Sequence, residues 1–430
     1  MTAEQPQAPE HEPAWFVGFD WGKEQHRVAL FDRHGKLIKQ RDVRHSATAY
    51  AALADWLLQT TGAAPGEIAV AIETSHGPAV DALIDRGFRA FAINPKQLDR
   101  FRDRYNVAGA KDDNRDAFTL GRCLRTDRDA FRELSPDNPL IVRLRAATRL
   151  TGELTADRTR LTNRLGEQLW RYYPQMLNLA NDLAGDTWLL TLWQQAPTPA
   201  KGARLHKETI ARILKAHRIR RLDADQVRAV LRQPPLPAAP GVTEAAVSTI
   251  HSLIPRIRLL NEQIKAAQAE IDALCAELAG PQVIEPGESV PGQSTGQRDV
   301  AILHSVPGVG RIVLATLLAE AGGPLGRRDY HALRALAGQA PITKRSGKSC
   351  VVQRRLACNK RLAVAMYHWG RTAIERDPRS RQRYDELKAR GCSHGRALRT
   401  VVDRLLKLVC ILLQRQVLFD PNHSFGGAAA

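Results

Sequence analysis

Four carboxylates stand where local pattern could bring them together: Asp20, Glu73, Asp113 and Asp116. Asp20 closes the short apolar run WFVGFD, and Glu73 closes EIAVAIE in the same way. A side chain at the end of a buried strand can point into a cleft. Asp113 and Asp116 follow in KDDNRDAFTLGRCL, three residues apart at a helix start and so on one face. Carboxylates held together repel, and each lifts its neighbours' pKa unless a cation is shared. Two Mg²⁺ (or Mn²⁺) ions roughly 4 Å apart would neutralise them and clamp the attacking and leaving oxygens of a phosphodiester. Each acid alone has a plainer explanation: a strand-end turn for Asp20 and Glu73, a dipole-favoured helix start for Asp113. It is the combination that points to metal-dependent phosphoryl chemistry. Spacing alone leaves Asp112 open as a ligand, since it lies one helical turn before Asp116.

A different candidate lies in LAGQAPITKRSGKSCVVQRRLACNKRLAVAMYHWG. Ser346 precedes Gly347 in a loop flanked by Lys344, Arg345 and Lys348. A serine hydroxyl becomes a competent nucleophile when cations polarise its phosphate target and its proton has an acceptor nearby. A Ser-Gly pair in a basic loop is otherwise a turn, and Ser349 is a neighbouring alternative. Between Asp329 and Glu375 there is no acidic residue, whereas Lys344, Arg345, Lys348, Arg354, Arg355, Lys360 and Arg361 all fall there. Contact with nucleic-acid phosphates is expected of such a stretch. Just upstream, LHSVPGVGRIVLATLLAEAG is similar to a helix–hairpin–helix element, whose glycine turn would let backbone amides approach a phosphate. An ordinary helix–loop–helix is the plainer account.

The elements that must position these groups follow from periodicity. Strands are expected over 15–20, 26–32, 37–43, 67–73 and 88–94, with helices over about 46–59 and 78–86. Three strands in a hairpin series followed by strand–helix alternation is the order of an α/β RNase H-like fold. From about 138 to 174 the pattern is helical, with Leu150, Leu154, Leu161 and Leu165 on one face. A later helix carries a heptad, with Ile257, Ile264, Ile271 and Leu278 at a and Leu260, Ala267 and Leu274 at d. That suits a coiled coil, an antiparallel pair or packing within its own domain. The expected plan is a tail over 1–14, a catalytic α/β domain over 15–137 and a helical, coiled-coil region over 138–280. A Pro/Gly/Ser linker over 281–298, a mostly helical basic domain over 299–416 and a tail over 417–430 complete it. No chemical role is assigned to 174–250.

Charge follows the same division. Residues 1–140 hold 19 Lys/Arg against 21 Asp/Glu, and residues 141–430 hold 44 against 24, a net of −2 followed by +20. A near-neutral carboxylate domain joined to a basic remainder suits a protein that grips phosphate backbones while the acids act on them. No apolar run of about 18 residues would span a membrane, and the first residues lack the pattern of a signal peptide. The six cysteines form no zinc spacing. Reduced thiols and a bacterial cytoplasmic, nucleoid-associated location are expected.

VGFDWGKEQHRVALFD, AVAIETS and NPKQLDRFRDRYNVAGAKDDNRDAFTLG resemble the DEDD motifs of bacterial insertion-sequence transposases of the IS110/IS1111 type. The N-terminal domain of that family is similar to RuvC, the Holliday-junction resolvase. The resemblance covers about 15–125, and a second family domain matches from about 300 to 415. It implies metal-binding acids at Asp20, Glu73, Asp113 and Asp116, with Lys23 and Lys111 also at motif positions. The motif usually reads Lys-Thr-Asp; here Asp112 takes the Thr position, and the alignment favours Asp113. The family's Ala-Gly-x-x-Pro and Ser-Gly elements match Ala337, Gly338, Pro341, Ser346 and Gly347, which implies a nucleophile at Ser346. Gln339 and Cys358 depart from the usual pattern. The implied activity is cutting and rejoining double-stranded DNA through a phosphoserine link. The implied partners are a non-coding RNA from the element's own end, which pairs with donor and target, and further copies of the chain. Dimers would join into tetramers, the DEDD domain of one subunit facing the serine domain of another. A RuvC-like junction nuclease would need the carboxylates and not Ser346; a non-catalytic architectural DNA-binding protein would need neither.

Overall fold

The computed structural model describes residues 12–105, 113–134, 138–280, 295–347 and 349–421. By compactness the chain divides into two units, Met1–Asp137 and Asn138–Ala430.

The first unit is a mixed six-stranded sheet in the order β3-β2-β1-β4-β5-β6. Its strands are β1 (Trp15–Asp20), β2 (Gln25–Phe31), β3 (Leu37–Arg44), β4 (Ile68–Ile72), β5 (Arg89–Ala92) and β6 (Arg132–Leu134). β1, β2 and β3 pair antiparallel in series, β4 and β5 run parallel to β1, and β6 returns antiparallel on β5. β4, IAVAI, is buried at every position because helices cover both of its faces. On one face lie α1 (Ala47–Thr61) and α2 (Pro78–Asp85), packed over Val17, Phe19, Val70 and Ile72. After α3 (Pro95–Tyr105), α4 (Asp113–Thr126) covers the other face through Ala117, Leu120 and Leu124, against Phe16, Ala29 and Ala71. The two cores hold alternate residues of the same strands, as the pleat requires. Ser46 opens α1 by accepting from Ala49 N–H, and Gly62 closes it with φ 62°.

The second unit is helical. It begins with α5 (Pro139–Tyr172), continues through α6 (Gln175–Leu179), α7 (Thr187–Gln195), α8 (Pro199–Ala203), α9 (Lys207–Ala216) and α10 (Ala224–Leu231), and returns along α11 (Val242–Ala279). Leu144 and Ala147 of α5 share a cluster with Ile271 and Leu274, while Leu161, Leu165 and Leu169 cluster with Ile250, Leu253 and Ile257. Rising numbers meet falling ones, so α5 and α11 are antiparallel, and the heptad positions Ile257, Ile264, Ala267, Ile271 and Leu274 are buried within this unit. The expected α5 face needs correction. Leu150 is exposed and Leu154 only half-buried, and the core stripe runs instead through Leu144, Ala147 and Thr151 to Leu161.

Residues 281–294 of the expected linker lie outside the described residues, and α12 (Thr295–Ser305) starts within its last part. Then come α13 (Arg311–Gly326), α14 (Tyr330–Leu336), the hairpin β7 (Ile342–Ser346) and β8 (Ser349–Gln353), α15 (Lys360–Arg376), α16 (Pro378–Ala389) and α17 (His394–Arg415). α13 is apolar on nearly every side. Ala315 and Ala319 join the core of the two long helices, while Leu314 and Leu317 join Trp369, Leu405 and Leu406 of the C-terminal bundle. Among the described residues no helix is long and apolar enough to cross a membrane.

Candidate active site

β1 and β4 are parallel neighbours whose last registered pair is Phe19 and Ile72. The next residue on each is a carboxylate, so Asp20 and Glu73 leave the sheet side by side at the same end. Asp20 is buried and Glu73 half-buried. What lets the helix of the third acid pack directly on β1 is a pair of glycines that sequence reasoning passed over. A Cβ placed on Gly18 would lie 1.8 Å from the carbonyl oxygen of Ala117 and 2.6 Å from the amide nitrogen of Gly121. One on Gly121 would meet Phe31 at 2.5 Å and the Gly18 nitrogen at 2.9 Å. Only two residues without side chains let α4 lie this close on β1. Asp116, one position before Ala117, is carried with the helix and is 2% exposed.

Asp116 is not bare. Arg102 on α3 grips it through both carboxylate oxygens, Nε to Oδ1 at 2.5 Å and Nη2 to Oδ2 at 2.8 Å, and also donates to Asp99. Burial alone would lower the Arg102 pKa; the hydrogen bond and charge of Asp116, then Asp99 and Glu73, hold it above the ordinary arginine value. The guanidinium therefore sits in the field of three acids, two of them members of the predicted cluster. Lys111, Asp112 and the side chain of Asp113 lie outside the described residues; the backbone of Asp113 begins α4. Among the described residues no three His, Cys, Asp or Glu side chains are close enough together to hold a metal ion.

Beside Asp20, the turn carrying exposed Trp21 and Lys23 is tied to β2 by the Gly22 amide, which donates to His26 Nδ1 at 3.2 Å. That leaves the His26 proton on Nε2, which donates to Tyr50 Oη at 2.8 Å, while the Tyr50 hydroxyl donates to His45 Nδ1 at 2.7 Å. Burial, and then the charge of His45, lower the pKa of His26.

In the second unit Ser346 and Ser349 face each other as the last pair of the β7–β8 hairpin, with Gly347 at φ 54° between them. Lys348 lies outside the described residues. Both serines are exposed, as are Lys344 and Arg345; alternation along the strand puts Lys344 on the face of Ser346. Arg354 and Arg355 follow β8. Lys360 opens α15, and Arg361 lies 3.5 Å from Glu153 in an exposed ion pair.

Beyond the hairpin, the start of α15 is anchored by a network that sequence reasoning also missed. Asn359 donates to Glu320 at 2.7 Å and caps α15 by accepting from Leu362 N–H, while Arg149 forks onto Glu320 at 2.9 and 3.2 Å. The motif glycine Gly338 has φ 70° and packs where a Cβ would stand 2.8 Å from Cys358 Sγ. In the expected helix–hairpin–helix turn, Gly308 is needed for packing. A Cβ there would lie 2.8 Å from the Ala373 nitrogen of α15, whereas one on Gly310, the other glycine of the turn, would meet nothing within 4 Å.

Two family models match this chain. Residues 17–174 match a transposase model named for the DEDD transposases of IS110, and residues 300–385 match the transposase IS116/IS110/IS902 family. The chain is 31% identical over 420 residues, 95% of its length and 96% of the relative's, to a Streptomyces coelicolor protein described as the mini-circle transposase for IS117. It is 53% identical over 210 residues to the Sinorhizobium fredii protein y4uE, also described as a transposase; that match covers 49% of this chain and 58% of the relative. A 43.6 kDa protein of insertion element IS110 from Streptomyces coelicolor is 24% identical over 96% of each chain.

Proposed function

The chain belongs to the IS116/IS110/IS902 family of insertion-sequence transposases, and from that premise we propose that it cuts and rejoins DNA through a covalent link to Ser346, assisted by divalent metal on Asp20, Glu73, Asp113 and Asp116. The observation that carries the proposal is the adjacent exit of Asp20 and Glu73 from β1 and β4, with buried Asp116 on the helix that the Gly18–Gly121 contact packs on β1. Three antiparallel strands followed by two parallel ones support a RuvC-like, RNase H-like account of the first unit.

The residues fit a hard divalent cation. Every donor is a carboxylate oxygen, the set that Mg²⁺ and Mn²⁺ prefer, and Asp116 already takes a cation in the form of Arg102. When bound, metal neutralises charge on the phosphate and polarises it. The chain's own residues do the rest. The α4 contact with β1 fixes the separation of Asp116 from the strand-end acids, and Arg102 fixes the orientation of its oxygens. Ser346, at the exposed end of a hairpin, attacks phosphorus with its Oγ. The bond to the departing strand breaks, the serine proton passes by way of an acceptor to the departing oxygen, and that strand leaves with a free hydroxyl. Attack by another strand's hydroxyl reverses the step and frees Ser346. Lys344, on the same strand face, offers positive charge to the crowded phosphate. An element-encoded RNA and assembly of dimers into tetramers belong to the same proposal; the basic balance of 141–430 is compatible with the RNA and carries no information on assembly.

The test is a denaturant-resistant protein–DNA adduct formed on incubation with the DNA partners. It is expected from the wild type and from Ser349→Ala, and not from Ser346→Ala. Asp20→Asn and EDTA should abolish it while leaving nucleic-acid binding intact. Asp113→Asn should be inactive and Asp112→Thr active. Cutting and rejoining by Ser346→Ala would refute the covalent route in favour of a metal-dependent junction nuclease. Binding without cleavage by the wild type would favour the architectural alternative.

A further inference from the structure

At the root of the β7–β8 hairpin is a cavity of about 290 Å³, walled by the end of β8, the backbone after α14 and the first turns of α17. Five arginines line it: Arg334, Arg354, Arg355, Arg396 and Arg399. The one acid in the lining, Asp403, is committed to Arg334 by a fork of 2.8 and 2.6 Å and also accepts from the Tyr330 hydroxyl at 3.0 Å. The other four guanidiniums have no ion-pair partner among the described residues. Arg355 Nε is buried with no hydrogen-bond partner. Burial, then the charges of Arg354 and Arg396, push the Arg399 pKa down, as expected where like charges are gathered without an anion. Arg396 and Arg399 stand in the first two turns of α17, where the helix dipole adds to the positive field.

We propose that this cavity is a binding site for one backbone phosphate of the bound nucleic acid, held by Arg354, Arg355, Arg396 and Arg399. The inference rests on the assignment of Ser346 as nucleophile for its purpose, though not for its chemistry. Every residue of β8, and all of β7 but its half-buried first residue, is exposed, and a lone two-stranded hairpin is marginal in water. A phosphate shared between the hairpin root and α17 ties the hairpin to the helical bundle. From Gln353 to Ser349 the strand advances four residues at about 3.4 Å each, so the hairpin tip lies roughly 13 Å from its root. The gripped phosphate and the one presented to Ser346 would then be held about a hairpin's length apart. Planar guanidiniums suit a phosphate's oxygens, and a backbone phosphate is the same at every step, so a grip on it is indifferent to sequence.

The experiment measures the affinity of the full chain for a labelled duplex of arbitrary sequence over a range of salt. Replacing Arg396 and Arg399 together by Gln should lower the slope of log K against log salt by about 0.9, the share of one phosphate. Lys at both positions should keep the slope, because charge is preserved. Arg381→Gln, which breaks an exposed ion pair with Asp385 on α16, serves as the control and should leave the slope unchanged. In parallel, inorganic phosphate should raise the melting temperature of the wild type above chloride at equal ionic strength, and not that of the Gln double variant. A wild-type slope in a folded Gln variant overturns the site, as does an equal loss in the control. Stabilisation by inorganic phosphate with an unchanged duplex slope overturns it too, since the cavity would then take a free anion. Failure of the Ser346 adduct leaves these slopes untouched, so the two proposals fail separately.

Discussion

Gly18→Ala adds one methyl group at the tightest contact in the first unit. The new carbon would stand 1.8 Å from the Ala117 carbonyl oxygen, with the Gly121 nitrogen at 2.6 Å and the Ala117 carbonyl carbon at 2.8 Å. All three are backbone atoms of one helix, so no side chain can swing aside. Ordinary contact begins near 3.4 Å, and α4 must therefore retreat by about 1.5 Å or β1 must buckle. Overpacking of this kind costs about 3 kcal/mol. In a unit of this size that is a fall in melting temperature of about 10 °C. Asp116 moves with α4, away from Asp20 and Glu73. A misplacement of about 1 Å can cost about 10²-fold in rate, and adduct formation should fall by at least that much in protein still folded at the assay temperature. Gly152→Ala is the matched control. Gly152 lies within α5, and a Cβ there meets nothing within 4 Å, so alanine should stabilise by about 0.5–1 kcal/mol and leave activity unchanged. Calorimetry and the adduct assay read both variants. Wild-type melting and activity in Gly18→Ala would refute the argument that this glycine sets the site's spacing.

Three further outcomes follow from side-chain partners. Arg102→Gln removes the cation from a carboxylate that is 2% exposed; in EDTA the loss should be about 3 kcal/mol, and Mg²⁺ should recover more stability in the variant than it adds to the wild type. An equal Mg²⁺ response in both proteins would dissociate Asp116 from the metal. His26 is held neutral, with its folded pKa below the ordinary 6.5, so the unfolded chain binds the proton more readily. Stability is therefore full above pH 6.5 and declines as pH falls from there toward the folded value, by at most about 1.4 kcal/mol per pH unit, and His26→Asn should flatten this part of the profile. Glu320 behaves in the opposite region. Burial would raise its pKa, but the Arg149 and Asn359 hydrogen bonds and the charges of Arg149 and Arg361 bring it below 4.5. Its contribution is present above pH 4.5 and lost as pH falls through the folded value; Glu320→Gln should cost about 2 kcal/mol at neutral pH and remove that acid limb, as pH-dependent melting would show.

The parts of this molecule that could be read in advance are those governed by spacing along the chain. β1 to β5 announce themselves through buried runs and alternation, and Asp20 and Glu73 are visible as the charged ends of two of them. β6 escapes because REL is three residues long, polar and mostly exposed; it is a strand only because β5 offers an edge to pair with. The stripe on α5 was misread at Leu150 because a helix this long carries apolar residues on several faces, and its partner α11 decides which of them are covered. The same limit holds within the site. Helical spacing puts Asp113 and Asp116 together, but not the Arg102 fork onto Asp116, nor the two glycines that meet face to face although they lie on a strand and a helix far apart in sequence. The Arg149–Glu320 pair spans 171 residues. Arg396 and Arg399 look in sequence like the solvated side of a basic helix, and only the β8 exit folded against them turns that side into a cavity wall. A site built on contact between elements depends on which residue is absent or opposed at one point of approach, and that information has no period for a single sequence to display.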